Sequence, residues 1–258
     1  MGRSSVKVLS NRNIARSTFS LTFESTPELF QSKPGQFINI KIRGEEAPLF
    51  RRPFSIASVQ DNSIEIIYAV IGKGTFYLSN LNTGDYLDII GPLGSCFKFD
   101  TEKSNYLLVG GGVGVPPLLY LADVMNKYEI RPKFLAGFKN SAVCFISDNS
   151  KSISVATDDG SRGYHGVVTD LLVERLNESK WDGIYACGPE PMLSVVSEIA
   201  NKMNMPCSLS VERVFGCGTG ICFGCIIDSS LKRYTETGNK YMLACKDGPV
   251  FDSTNINI

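Results

Sequence analysis

The 258-residue sequence contains one histidine, so it lacks the usual centre of nucleophilic and acid-base constellations. That residue, His165, sits in a stretch flanked by Gly163 and Gly166, which suits a surface loop better than a proton shuttle. No Ser/His/Asp or His/Cys set can be assembled around it. An excess of one charge is also absent: Lys and Arg total 26 against 26 Asp and Glu, without the basic footprint that nucleic-acid backbones demand. No apolar run reaches the roughly 20 residues of a membrane helix, and the polar start from Met1 to Asn13 has no secretory h-region. The chain therefore reads as soluble and cytoplasmic, with no membrane or nucleic-acid partner. Gly2 does not extend to a myristoylation signal, because Val6 stands where Ser or Thr is wanted. Eight cysteines fall below disulfide-scaffold density, and four of them lie from Cys217 onward; clustering of this kind points to a metal centre before it points to disulfides.

Glycine is plentiful at 24 residues, beside 43% hydrophobic and 20% charged residues, a composition that allows two compact domains and a small third. From Ser17 to about Gly91 the pattern alternates with period two, in Ser17 to Glu24, Gln36 to Ile42, Ser63 to Val70 and Asp85 to Ile90. Pro34-Gly35, Asp61-Asn62 and Thr83-Gly84 punctuate these segments as turns, which predicts a small closed antiparallel barrel. After Asp100 the rhythm changes. Tyr106 to Val109, Lys133 to Gly137, Ile153 to Ala156 and Gly183 to Ala186 read as strands. Helical segments at Pro116 to Tyr128, Val167 to Leu176 and Met192 to Met203 come between and after them, which predicts a parallel sheet covered by helices. The apolar stripe from Met192 to Met203 reads as core. From Cys207 the chain has too few apolar residues for a core of its own and needs a covalent or metallic staple. The expected fold is thus a multi-domain α/β plus β architecture, with a barrel over 1–100, an α/β domain over 101–206 and a small stapled domain over 207–258.

Cys217, Cys222, Cys225 and Cys245 are spaced Cys-x4-Cys-x2-Cys-x19-Cys, with Gly218, Gly220 and Gly224 between the first three. This is the plant-type [2Fe-2S] spacing. Two sulfide-bridged irons need four thiolates converging from two sides. Structural zinc is the plain alternative, but it favours two symmetric Cys-x2-Cys knuckles, which the x4 interval breaks. Cys96, Cys144 and Cys207 read as small buried hydrophobes.

Two further segments are weak alone. Arg51-Arg52-Pro53-Phe54-Ser55 closes an early strand, and Gly72-Lys73-Gly74-Thr75 opens a short helix; a guanidinium and helix-start amides suit a pyrophosphate, although surface charge and a turn explain them equally. Gly110-Gly111-Gly112-Val113-Gly114-Val115-Pro116-Pro117 departs from the Gly-x-Gly-x-x-Gly dinucleotide fingerprint. It still ends a strand with glycines and starts a helix with proline, as an ordinary strand-helix turn also does. Asp158-Asp159 suits a turn or a ribose contact better than acid-base work.

In combination these motifs carry a resemblance. Arg52-Pro53-Phe54-Ser55 resembles the Arg-x-Tyr-Ser flavin signature of the ferredoxin-NADP reductase superfamily, and Gly91-Pro92-Leu93-Gly94 resembles the segment closing its flavin barrel. The glycine block, Thr157 to Ser161, Cys187-Gly188-Pro189-Glu190-Pro191-Met192 and the terminal cysteines follow in an order similar to that of the electron-transfer subunits of class 1B, NAD-linked dihydroorotate dehydrogenases. The resemblance spans nearly the whole chain and implies three cofactors: FAD, a [2Fe-2S] cluster and NAD. It implies Arg52 on the FAD pyrophosphate, Ser55 near flavin N5, and Pro53 and Phe54 in the same segment. Ile67, Tyr68 and Ala69 would line the flavin, with Gly74 and Thr75 at its phosphates. Phe54 departs from the signature Tyr and loses a hydroxyl contact. Gly110, Gly112, Gly114, Gly188 and Pro189 would bind the nicotinamide nucleotide. Cys187 would face the nicotinamide as a catalytic residue, or else be a plain buried strand residue. Cys217, Cys222, Cys225 and Cys245 would hold the cluster.

Nicotinamide moves hydride, an iron-sulfur cluster moves single electrons, and a flavin does both. With only 13 residues after Cys245 there is no room for a further substrate pocket, so the far end of the relay is expected on another polypeptide. The resemblance implies an FMN-containing catalytic subunit that oxidises dihydroorotate to orotate in pyrimidine biosynthesis, two copies of each subunit assembling. A cousin reading is the small subunit of an NADH-dependent ferredoxin:NADP reductase or sulfide dehydrogenase. A reading of another class is a cofactor-free or zinc-stapled binding module.

Overall fold

A computed structural model describes residues 2–44, 47–148, 150 and 152–258. The first sheet contains β1 (Gly2–Ala15), β2 (Thr18–Glu24), β3 (Phe37–Lys41), β4 (Arg52–Ser55), β5 (Ser58–Gln60), β6 (Ser63–Ala69) and β7 (Tyr86–Leu93), with α1 (Pro27–Phe30) and α2 (Lys73–Ser79) in its connections. Its order is β4-β3-β7-β1-β2-β6-β5, all antiparallel. The two edge strands, β4 and β5, are consecutive in the chain and separated only by Ile56 and Ala57. That short connection forces the sheet to curl until its edges meet, which is the expected barrel. Ile38, Ile40, Leu21, Phe23, Ile64, Ile66 and Ile89 fill it, each essentially without exposed surface.

The long strand β1 is absent from the sequence expectations. Only Val6 and Val8 of its residues are buried, too few to produce a visible alternation. It is defined by its partners instead: Gly2 to Lys7 pair with β7, and Val8 to Ala15 pair with β2 across register shifts. Arg3 and Arg51 both reach the Asp88 carboxylate, at 2.7 Å each, and tie β1, β4 and β7 together. The Arg3 hydrogen bond, opposed by burial and assisted by Arg51, holds the Asp88 carboxyl at about 2.

The second sheet contains β8 (Tyr106–Gly111), β9 (Lys133–Phe138), β10 (Ile153–Thr157), β11 (Tyr164–His165), β12 (Gly183–Cys187), β13 (Cys207–Ser210) and, further on, β16 (Val250–Asp252). The helices α3 (Val115–Asn126), α4 (Val168–Leu176) and α5 (Glu190–Lys202) connect its strands. Its order is β11-β10-β9-β8-β12-β13-β16. The strands are parallel except for β16, which runs antiparallel to β13. The chain winds outward in one direction from β8 to β11 and in the other from β12 to β13, so a topological switch point lies between β8 and β12.

The segment from 207 onward is tied to the second sheet by strand pairing. Strands β13 and β16 lie within the segment assigned to a separate small domain, yet both hydrogen-bond into the second sheet. Leu209 and Phe251 are buried in its core, because that sheet would otherwise leave the apolar edge of β12 open. What remains outside is the cysteine loop, the hairpin β14 (Ile226–Asp228) and β15 (Tyr241–Leu243), and α6 (Leu231–Thr237). Two smaller corrections follow from burial. Leu193, Val196, Ser197 and Ala200 form the buried row of α5, while Met203 is exposed. Cys96 is half-buried, whereas Cys144 and Cys207 are buried as expected. Among the described residues no helix is long and apolar enough to cross a membrane.

Candidate functional site

Two clefts lie between the barrel and the second sheet. The first, of about 720 Å³, is lined by Arg52, Pro53, Phe54 and Ser55 from β4, Ile67, Tyr68 and Ala69 from β6, and Gly74 and Thr75 from α2. All nine residues assigned to the flavin thus converge, because β4 and β6 sit near the barrel's seam and α2 begins just after β6. The Thr75 hydroxyl accepts from the Ile71 and Gly72 amides, which sets the start of α2. Phe54 packs edge-on to Tyr68, ring centroids 5.7 Å apart, and the Tyr68 hydroxyl points away toward Asn11 Oδ1 at 3.4 Å. Burial raises the Tyr68 phenol well above its ordinary range.

The paired arginines separate cleanly. The Arg51 guanidinium donates to the Asp88 carbonyl at 2.8 Å and to its carboxylate at 2.7 Å, so it serves the barrel. Among the described residues Arg52 makes long contacts, at 3.3 Å to the Phe50 carbonyl and 3.5 Å to the Arg51 carbonyl, and it faces the first cleft.

The second cleft, of about 840 Å³, is lined by Gly111, Gly112, Asp158, Gly188, Pro189 and Met192 among others. It therefore lies at the C-terminal ends of β8 and β12, where the switch-point rule expects a ligand. Gly110 and Gly114 do not line it; both are buried. A Cβ on Gly110 would meet Val115 Cγ2 at 2.8 Å, and one on Gly114 would meet the Cys187 carbonyl oxygen at 2.3 Å. At both positions glycine lets the turn into α3 press against β8 and β12, which brings Gly111 and Gly112 to the cleft. The helix itself begins at Val115, after a single tight turn over Gly112–Gly114. The adjacent aspartates also divide: Asp158 lines the cleft, while the Asp159 carboxylate accepts from the Ser161 amide and hydroxyl and is lowered by those bonds. His165 is exposed on β11.

Ala69, Ile71, Val113 and Glu212 line both clefts, and Cys187 lines the first. Burial, with the Glu212 charge second, pushes the Cys187 thiol up to about 12, so it stays protonated at neutral pH. Burial likewise raises the Glu212 carboxyl. Glu212 was not anticipated from sequence: it lies just beyond β13, outside any recognisable motif, and only the fold brings it to the junction.

The four cysteines form two pairs. Cys217 and Cys222 exchange backbone-to-sulfur contacts, Cys217 N to Cys222 Sγ at 3.3 Å and Cys222 N to Cys217 Sγ at 3.4 Å. The Cys245 amide donates to Cys225 Sγ at 3.4 Å. Thr219, Gly220, Ile221 and Gly224 aim further amides at the sulfurs at 3.2–3.5 Å. Burial opposes ionisation of Cys217, but hydrogen bonds from Thr219, Cys222 and Ile221 outweigh it and bring that thiol down to about 5. Cys245 moves up to about 12, through burial and then the neighbouring Cys225, as crowded thiols do without a cation between them. Among the described residues no three His, Cys, Asp or Glu side chains are grouped so as to hold one metal ion. Two sulfur pairs joined by an amide fan suit a two-iron centre, one pair per iron, better than one zinc. Cys225 and Cys245 are buried while Cys222 is exposed, so one edge of the site faces outward. Phe215, two residues before Cys217, lines the first cleft.

Comparisons with known proteins agree with this geometry. A profile for an oxidoreductase FAD-binding domain matches residues 5–98. One for the iron-sulfur cluster binding domain of dihydroorotate dehydrogenase B matches 212–257. The whole fold superposes on a chain of an NADH-dependent reduced ferredoxin-NADP oxidoreductase with a TM-score of 0.86 and 28% identity, covering 99% of this chain and 91% of that one. The cytochrome b5 reductase domain of Ulva prolifera nitrate reductase shares the fold of 79% of the chain at a TM-score of 0.65 and 15% identity. Together the clefts, the cysteine site and these matches define an oxidoreductase subunit of ferredoxin-reductase fold with an FAD-binding and an iron-sulfur domain. The electron transfer subunit of dihydroorotate dehydrogenase B (NAD(+)) from Bacillus caldolyticus is 38% identical over 97% of both chains. Its counterpart from Caldanaerobacter subterraneus is 39% identical over 95% of this chain and 94% of its own. The chain belongs to this family of electron transfer subunits.

Proposed function

We propose that this chain relays electrons between NAD and a partner flavoenzyme, an FMN-containing subunit that oxidises dihydroorotate to orotate, in an assembly with two copies of each subunit. FAD would occupy the first cleft, the nicotinamide nucleotide the second, and a [2Fe-2S] cluster the four cysteines. The observation that carries this reading is contiguity. The first cleft shares Ala69, Ile71, Val113 and Glu212 with the second, and at its other end it includes Phe215, two residues from Cys217.

When bound, FAD exchanges hydride with nicotinamide and single electrons with the cluster. The residues bind and orient. Arg52 is free to clamp the pyrophosphate, Gly74 and Thr75 offer the start of α2 to the same phosphates, and Ser55 can donate toward the flavin ring. Ile67, Tyr68 and Phe54 exclude water from it. Cys187, buried in the wall of the first cleft next to Gly188 of the second, is a neutral group at the junction where the nicotinamide would meet the flavin, and not a nucleophile. Gly112, Gly188 and Pro189 admit the nucleotide to the switch point. Ile221 and Phe223, 78% and 63% exposed on either side of Cys222, supply an apolar face for the partner.

The likeness to the NADH-dependent ferredoxin-NADP oxidoreductase chain keeps a ferredoxin:NADP reductase or sulfide dehydrogenase subunit as the second reading, and it differs only in the partner. The zinc-stapled module is disfavoured by the paired sulfurs. The test is to assay the isolated chain and its complex. The chain alone should oxidise NADH with ferricyanide but leave dihydroorotate untouched until the partner is added. Cys225→Ser should spare NADH oxidation and abolish dihydroorotate-dependent NAD reduction, with pull-down reporting whether the complex forms. An assembled, cluster-free Cys225→Ser complex working at the wild-type rate would refute the relay.

A further inference from the structure

The barrel and the cysteine loop meet on the outer face of β3. Phe37 and Asn39 are two residues apart on that strand and project to the same side. Each meets one residue of the loop. The Phe37 ring lies 5.0 Å from that of Phe215, and Asn39 Nδ2 donates to the Cys217 carbonyl at 3.2 Å across 178 residues of sequence. Asn39 also stands opposite Pro53 in the β3–β4 ladder, so one strand pair backs both the flavin segment and a cysteine of the cluster site.

Asn39 has no exposed surface, and its Oδ1 is buried with no hydrogen-bond partner among the described residues. A buried amide satisfied on one side only costs stability, so packing of the outer face does not account for asparagine here. Its donor half, by contrast, is engaged at the backbone carbonyl of a cluster cysteine, Cys217. Gly218 lies flat against it: a Cβ there would sit 1.9 Å from Asn39 Nδ2, and its φ of +71° is the left-handed region. Contact and backbone together lock the peptide between Cys217 and Gly218 in one plane.

We propose that Asn39 is a positioning residue for the iron-sulfur site. By holding the Cys217 carbonyl it fixes the start of the loop whose Thr219, Ile221 and Cys222 amides point at Cys217 Sγ. The inference rests on the assignment of a [2Fe-2S] cluster to these cysteines. Hydrogen bonds to cluster sulfurs are among the factors that set the potential, and they favour the reduced, more negative state. Losing the Asn39 anchor lets the amide fan drift, which makes the cluster harder to reduce and easier to strip.

The test uses the full chain, purified without oxygen, as wild type, Asn39→Leu and Asn39→Asp. Leu removes the donor at similar volume; Asp keeps the shape but turns a carboxylate toward the Cys217 carbonyl. FAD content, read from absorbance, should remain that of wild type. The cluster should be lost to a chelator about fivefold faster, the factor carried by one net hydrogen bond. The electron paramagnetic resonance of the reduced cluster should change shape, and its midpoint in a redox titration should move to a more negative value, further for Asp than for Leu. Wild-type spectra, midpoints and chelator rates in both variants would overturn the proposal. Should Asn39→Leu not accumulate with FAD bound, Asn39→Ser, which cannot overfill the site, replaces it with the same two outcomes. A wild-type protein without iron would instead overturn the cluster assignment, and this inference with it.

Discussion

Replacing Arg51 and Arg52 one at a time separates two roles that neighbouring guanidiniums would otherwise blur. Among the described residues Arg52 has only long carbonyl contacts, and it faces the first cleft, so Arg52→Ala leaves the barrel intact and removes a cation from a bound pyrophosphate. Charge-assisted hydrogen bonds contribute roughly 1.5–3 kcal/mol, or about ten- to a hundredfold in FAD affinity. Arg51 is 17% exposed and bonds an Asp88 side chain that is 6% exposed. Arg51→Ala strips the better-buried partner from that carboxylate and leaves only Arg3, which is largely exposed. The expected loss is about 2–3 kcal/mol of stability, roughly 4–10 °C in melting temperature for a chain of this size. Titrating FAD into stripped protein while following flavin fluorescence, and melting the same FAD-free samples, reads both effects. Arg52→Ala should lose affinity and keep its melting temperature, and Arg51→Ala should melt early. An unchanged FAD dissociation constant in Arg52→Ala would refute the phosphate assignment.

Gly114→Ala would drive a Cβ to 2.3 Å from the Cys187 carbonyl oxygen, an overpacking cost of about 1–3 kcal/mol; FAD content should hold while KM for NADH in the ferricyanide assay rises, and an unchanged KM would count against the close-packing role. Burial pushes the Cys207 thiol up to about 12 from an ordinary value of 9.0. Above pH 9 the unfolded chain therefore releases a proton that the folded chain keeps, and stability falls as pH rises toward 12. Cys207→Ala should lose stability less steeply over that range, by about 1.4 kcal/mol per pH unit in urea titrations, and parallel curves would contradict the burial argument.

How much of this was legible in the sequence follows from the range of the interactions involved. The cysteine loop stands out because its spacing is set within a few residues, and so do the turns at Gly35 and Gly84, whose φ values are positive; the Arg52 to Ser55 segment, weak alone, stands out only in combination with the other motifs. The β8-to-α5 alternation is equally local. Contacts between distant segments were not legible. Asn39 reaches Cys217 across 178 residues, and Glu212 joins the clefts only after β13 has been added to the sheet. Strand β1 is recognised through β2 and β7, not through its own polar sequence. Gly110 and Gly114 match a nucleotide-binding block in type, and the tight packing that a Cβ there would meet shows only once the turn into α3 is folded. The pairing of β13 and β16 with the second sheet was hidden for a related reason: a segment with few apolar residues leans on a neighbouring sheet that lies far from it in sequence.

The most direct measurement of the central claim is the cofactor content of the anaerobically purified chain, by iron, acid-labile sulfide, zinc and flavin analysis of one sample. The account predicts one FAD with two irons and two labile sulfides per chain, as a [2Fe-2S] centre requires, and loss of the iron and sulfide but not the FAD in Cys225→Ser. One zinc per chain with no labile sulfide, or iron and sulfide without FAD, would contradict it.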